Sequence, residues 1–219
     1  MKYVLFGSAC VVLVLGFILG SSYYKGQQDD KYGFLAQKNA DLFVRDHSPT
    51  LGSDDAKVFI VEFMDPACET CAAFAPFMKQ AMAANPGKIK LVIRYAPFHD
   101  GADNFVKILE AARMQGKYWE TLDLMFKTQN IWASHHDYQP ERLWEVLPRA
   151  GLDIARIKTD MHSPAIAKII EQDMADVKTL NVQKTPGYFV NGRPLQQFGY
   201  RQLAQLIQSE LDVQYPPTR

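Results

Sequence analysis

An α/β fold with a helical insertion, set behind an apolar N-terminal helix, is what this sequence predicts. Three features carry that expectation. Two dense apolar runs, 57–63 and 88–98, flank a stretch of helical spacing, which makes a β-α-β unit. A long helical stretch, about 101–181, follows it. The chain then returns to β structure in "TPGYFVNGRPLQQFG", with one more helix after it.

The N-terminus reads "YVLFGSACVVLVLGFILG" from Tyr3 to Gly20, uncharged and almost wholly apolar after Lys2. At about 1.5 Å per residue such a helix nearly spans a hydrocarbon core of about 30 Å. It is longer than a signal-peptide apolar region of about 7–15 residues, and no A-x-A cleavage pattern follows. An uncleaved signal anchor, a transmembrane helix over 1–22, is therefore expected. Lys2 and the α-amino group favour the short end inside, although Lys25 and Lys31 weaken that bias. The rest of the chain is expected outside the cytoplasm, where disulfides persist. Cys10 falls in the apolar stretch and reads as a membrane-buried thiol.

With 219 residues the chain has room for one elaborated domain or two small ones. Lysine plus arginine number 24, as do aspartate plus glutamate. The balance argues against an electrostatically driven nucleic-acid binder. Residues 23–56 hold a polar linker and a short leading helix with Phe34, Leu35, Leu42 and Phe43 on its apolar side. "HSPTLGSDDA" then reads as turns.

"KVFIVEF" is dense in β-branched residues, as in a strand buried on both faces. Cys71, Phe74, Ala75, Met78 and Met82 follow at helical spacing until Pro86-Gly87. "KIKLVIRYAPF" is a second buried strand, so the two pair in parallel with a right-handed crossover. This first part of the core covers 57–100. In the insertion, 101–181, Phe105, Ile108, Leu109 and Ala112 share one face. Trp119, Leu122 and Phe126 share another, and "PERLWEVLPRAG" is a short helix ended by proline. Ile166, Ile169, Ile170, Met174, Val177 and Leu180 form an amphipathic stripe. These stripes read as core and not as a cofactor box. The second part of the core, 182–213, has Asn191-Gly192 as a tight hairpin turn. A helix carrying Leu203, Leu206, Ile207 and Leu211 closes it, and the tail 214–219 frays.

Chemistry gathers at "DPACETC". Haem attachment needs histidine directly after the second cysteine, and residue 72 is alanine. Structural zinc lacks a second cysteine pair, and His135-His136 are assigned no metal. A purely structural disulfide across so short a loop gains little closure entropy. A copper site using these thiols with Met64 or Met78 stays open beside the redox reading. Position favours redox. Cys68 falls at a strand-to-helix junction, where unpaired N–H groups and the helix dipole stabilise a thiolate. Cys71, one turn on, is close enough to resolve a mixed disulfide and is expected to be more shielded. Glu62 lies inside the apolar strand, where desolvation raises a carboxyl pKa; the alternative is a carboxylate reaching solvent at the sheet end. His99, in "APFHDG", falls at the same sheet edge as Cys68; it either lines the site or is structural, as single turn histidines usually are.

"SPTLGSDDAKVFIVEFMDPACETCAAFAP" resembles the first core strand and active-site helix of the thioredoxin superfamily, and above all the DsbA-like exported thiol-disulfide oxidoreductases. "KTPGYFVNGRPL" is similar to that family's second signature, a Thr-Pro with a cis peptide bond before a hairpin. The resemblance covers about 48–211 in architecture. It implies a thioredoxin-like fold with an inserted helical subdomain. Cys68 then matches the nucleophile and Cys71 its resolving partner. Thr185 and Pro186 match the substrate-binding loop, where an extended peptide pairs by β-augmentation. Glu62 matches the buried acid thought to relay protons to the resolving thiol, and Pro76 a proline that kinks the active-site helix.

The dipeptide departs from the pattern, since Glu69-Thr70 replaces the Pro-His of the strong oxidases. A carboxylate near Cys68 disfavours its thiolate, so a higher Cys68 pKa and a weaker oxidant are expected, unless Glu69 points away. The resemblance implies an extracytoplasmic oxidoreductase acting on secreted or envelope proteins, disulfide-forming, with a membrane redox partner and no cofactor beyond the Cys68–Cys71 disulfide. No dimerisation segment stands out, and a monomer is expected. A reductase or isomerase, or a non-enzymatic chaperone or metallochaperone, stays open.

Overall fold

The computed structural model describes residues 40–134 and 137–216, together with 16, 17 and 20. The expected transmembrane helix, the linker after it, His135-His136 and the end of the tail lie outside the described residues. Among the described residues, no helix is long and apolar enough to cross a membrane.

Five strands form one mixed sheet. They are β1 (Thr50–Gly52), β2 (Val58–Met64), β3 (Ile89–Tyr95), β4 (Gly187–Val190) and β5 (Arg193–Pro194), in the spatial order β1-β3-β2-β4-β5. β2 and β3 pair in parallel from Val58↔Ile89 to Met64↔Tyr95. The crossover between them is α1 (Glu69–Ala84). β4 joins the other edge of β2 antiparallel, with Glu62 opposite Tyr188. The hairpin from β4 to β5 turns at Asn191 and Gly192, whose φ values of 47° and 79° are those of the left-handed two-residue turn that matches strand twist.

Reading 47–56 as turns alone is overturned, because Thr50–Gly52 add an antiparallel edge strand to β3. Three exposed residues show no alternation of polarity, so only the free edge of β3 makes them a strand. Gly52 sits there at φ 109°, and a Cβ on it would come within 2.4 Å of the Ile89 carbonyl oxygen. No other residue fits that approach.

The insertion comprises α2 (Ala102–Arg113), α3 (Tyr118–Lys127), α4 (Pro140–Val146), α5 (Ile154–Asp160) and α6 (Pro164–Thr179), and α7 (Tyr200–Gln214) ends the fold. Side chains alternate along each strand. One sheet face presents Ile60, Glu62 and Met64 toward a core shared with α1, α7 and most of the insertion. The other presents Val61 and Phe63, which pack with Phe43, Val92, Phe189 and Val177 of α6.

The stripe expected on α6 packs into the core: Ile166 and Val177 are buried, and Ile169, Ile170, Met174 and Leu180 pack against the two apolar clusters. Asp173 and Asp176 are buried beside it, which the sequence pattern did not show. Both carboxylates meet Arg94, a wholly buried guanidinium inside the apolar run of β3. Arg94 Nη2 lies 2.7 Å from Asp173 Oδ1 and 2.5 Å from Asp176 Oδ2. Arg45 Nη2 adds a contact of 2.8 Å to Asp176, and His47 Nε2 lies 2.7 Å from Asp173. Asp173 Oδ2 also accepts the Tyr95 N–H at 2.7 Å. These bonds staple the insertion and the leading segment to the back of the sheet.

Candidate active site

β2 delivers the chain to the top of the sheet at Met64, and four residues later Cys68 caps α1. Its backbone is still extended there (φ −76°, ψ 116°), and its sulfur accepts the Cys71 N–H at 3.4 Å. A helix start leaves N–H groups without intrahelical partners, and here they converge on a sulfur. Cys68 and Cys71 are both free thiols and both buried.

The Cys68 pKa is lowered to about 6. The Cys71 thiol, donating to it, has the largest effect, and burial opposes it. The Thr185 side chain and the backbone N–H groups of Cys71 and Thr70 add to the lowering. For scale, the nucleophile of thioredoxin titrates at about 7 and that of DsbA at about 3.5. Cys71 goes the other way. Burial pushes its thiol up, as do its bond to Cys68 and the negative fields of Glu62 and Cys68. One thiolate-prone sulfur thus sits beside one that holds its proton.

Glu62 lies beneath them, 4% exposed. Desolvation raises its pKa to about 8, against a downward pull from Tyr188, with the Cys68 charge adding to the rise. Tyr188 is its register partner on β4, with its hydroxyl buried. The alternative of a carboxylate reaching solvent at the sheet end does not hold.

Thr185 and Pro186 approach from the chain before β4, through a cis peptide bond. The Cys68 thiol donates to the Thr185 carbonyl at 3.4 Å. The fold therefore brings Cys68, Cys71, Glu62 and Thr185 together, with Pro186 adjoining and Thr70 contributing its backbone. Glu69 is exposed in the first turn of α1 and is not among the principal influences on Cys68.

Asp65 escaped the sequence reading. It is wholly buried and accepts the N–H of Ala67 at 2.8 Å, of Phe98 at 2.8 Å and of His99 at 3.0 Å. His99 Nδ1 lies 2.7 Å from the same carboxylate. Asp65 thus ties the cysteine loop to the loop after β3, and its carbonyl accepts the Cys68 N–H at 3.0 Å. His99 belongs to the site through this contact. From the insertion, Gln129 Nε2 donates to the Pro66 carbonyl at 3.0 Å. The available signal was Asp-Pro directly after a buried strand, a pair that favours turns held by the aspartate side chain. Among the described residues, no three His, Cys, Asp or Glu side chains are gathered to hold a metal ion.

Comparison with known proteins places this geometry. The family model described as Thioredoxin matches residues 45–209. A Na(+)/H(+) antiporter NhaA of Herminiimonas arsenicoxydans is 31% identical over 144 residues, 66% of this chain and 22% of the antiporter. The chain thus spans about a fifth of the length of that relative. The probable disulfide bond formation protein D of Bacillus anthracis is 27% identical over 198 residues, 84% of each chain. A thioredoxin-like oxidoreductase from Silicibacter pomeroyi DSS-3 superposes with a TM-score of 0.67 at 26% identity, covering 81% of this chain and 98% of its own. The chain belongs to the thioredoxin family.

Proposed function

We propose that this chain exchanges disulfides with secreted or envelope proteins outside the cytoplasm, in the disulfide-forming direction. The contrast between the two sulfurs carries the reading. A reduced state stabilised through the Cys68 thiolate makes the Cys68–Cys71 disulfide oxidising.

In the oxidised protein a client thiolate attacks Cys68. A client–Cys68 disulfide forms, the Cys68–Cys71 bond breaks, and Cys71 leaves with the electron pair. Cys71 holds a proton firmly, and neutral Glu62 beneath it is the group suited to supply one. A second client thiolate then attacks the client sulfur of the mixed disulfide. The client disulfide forms and Cys68 leaves as its stabilised thiolate. Two client thiols have been oxidised and the pair reduced to a thiolate and a thiol. A membrane redox partner would reoxidise it. Thr185, beside Cys68, would pair with an extended client segment. The apolar stretch 3–20 would anchor the chain, with the catalytic domain facing outward as a monomer.

Cys71→Ser tests the reaction class. With the resolving thiol gone, Cys68 accumulates mixed disulfides with client proteins, reversed by reductant. A variant that traps no clients while the parent chain binds copper stoichiometrically supports the metallochaperone instead. Direction is read from the reduction potential. A value above thioredoxin's, about −270 mV, and toward DsbA's, about −120 mV, supports oxidation. A value at or below thioredoxin's makes the protein a reductase.

A further inference from the structure

Behind the active-site helix lies a cavity of about 510 Å³, walled by α1, by strands β2 and β3, and by α3. Met64, Met78, Met82, Ile93, Leu122 and Phe126 are among its apolar lining, with Met82 and Phe126 the more accessible of them. A close-packed core leaves few voids larger than a water molecule, and an apolar cavity of about 150 Å³ is already enough to bind benzene. The volume is that of a small-molecule site, typically about 300–1,000 Å³ with an apolar lining and few polar groups. Three methionines give the wall an adaptable surface.

The polar groups are unevenly placed. Glu62 is the acid in the inner wall. The exposed part of the lining carries Lys79, Lys127 and Asp123. Lys79 pairs with one Asp123 oxygen, and Lys127 Nζ lies 2.6 Å from the other. Two ammonium groups share one carboxylate, so the mouth has a surplus positive charge. Their side chains are 60% and 71% exposed and free to turn toward an incoming anion.

We propose that this cavity binds a small anionic amphiphile, an aliphatic carboxylate whose tail fills the methionine-lined interior and whose head rests between Lys79 and Lys127. The inner wall does not repel the tail, because the Glu62 carboxyl is neutral at pH 7 with its pKa at about 8. No step of thiol exchange enters the binding claim, so it stands or falls apart from the redox reading.

The test is calorimetric titration of the full chain with decanoate, decanol and decyltrimethylammonium. Chain labelled with ¹³C at the methionine methyls is followed by NMR alongside. Decanoate binds one to one and moves the Met64, Met78 and Met82 methyls. Decanol binds about fivefold more weakly, the scale of an exposed ion pair of about 1 kcal/mol, and the cation more weakly still. The double substitution Lys79→Gln/Lys127→Gln brings decanoate down to the level of decanol and leaves decanol unchanged. Ala75→Leu, which narrows the cavity from α1, removes binding of both. Because overpacking can unfold a core, the lysine pair, on exposed positions, keeps the test decisive. Absence of decanoate binding overturns the proposal. So does equal binding of all three probes, or binding that leaves the methionine methyls unmoved.

Discussion

Glu62 and Arg94 are charged residues in the middle of neighbouring buried strands, and their surroundings are opposite. Arg94, on the back of the sheet, is held by Asp173 and Asp176, with Arg45 and His47 completing the cluster. Glu62, on the front, has no ion-pair partner among the described residues, and burial drives its pKa to about 8. A buried charge that is fully paired serves the architecture, since removing one partner strands the other. A buried acid left unpaired keeps a proton close to hand at neutral pH, which is where proton-transfer groups are found.

Glu62→Leu should give the largest effect. A carboxyl whose folded pKa is raised favours the neutral form, so the native state carries no cost below the unfolded pKa near 4.5. The cost grows through the window from 4.5 to about 8 and is complete above it. A shift of that size corresponds to as much as about 5 kcal/mol. In urea unfolding of the reduced protein, the variant should match wild type at pH 4.5 and exceed it by a widening margin up to pH 8. Parallel curves would show that Glu62 is paired or hydrated after all.

Asp173→Ala should cost about 3–5 kcal/mol by the same measurement, since it leaves the Arg94 guanidinium under-compensated. Its mark is that the Cys68 titration stays in place. A moved Cys68 pKa would mean that the two sheet faces are electrostatically coupled and the contrast is not one of roles.

Thr185→Val should raise the Cys68 pKa from about 6 by about one unit, the scale of one hydrogen bond to a charged group. Thiolate absorbance against pH reads it. Glu69→Gln should give the smallest change, a few tenths of a unit, because an exposed carboxylate acts through solvent. A fall approaching a full unit would restore Glu69 to the weakening role that the sequence suggests.

The parts legible in the sequence are those that local chemistry writes. The apolar run of β2, the helical spacing after Cys68, the Thr-Pro pair and the Asn191-Gly192 turn each act within a few residues. Glu62 was visible because an acid stands out in an apolar strand. Arg94 stands out equally in β3, but its meaning depends on Asp173, 79 residues away. Asp65 hid beside the cysteines for a similar reason, since its bonds reach Phe98 and His99 across the sheet edge.

The sequence by itself determined the strand-helix-strand unit, the two thiols at a helix start and the acid in the strand beneath them. Tertiary structure decided the rest: that Arg94 finds Asp173 and Asp176 while Asp65 ties down the cysteine loop, that three exposed residues become β1, and that a cavity opens behind the active-site helix. Periodicity and turn chemistry are set by neighbours along the chain. Desolvation, ion pairing and packing depend on groups far apart in sequence, and those meet only when the sheet and its insertion close.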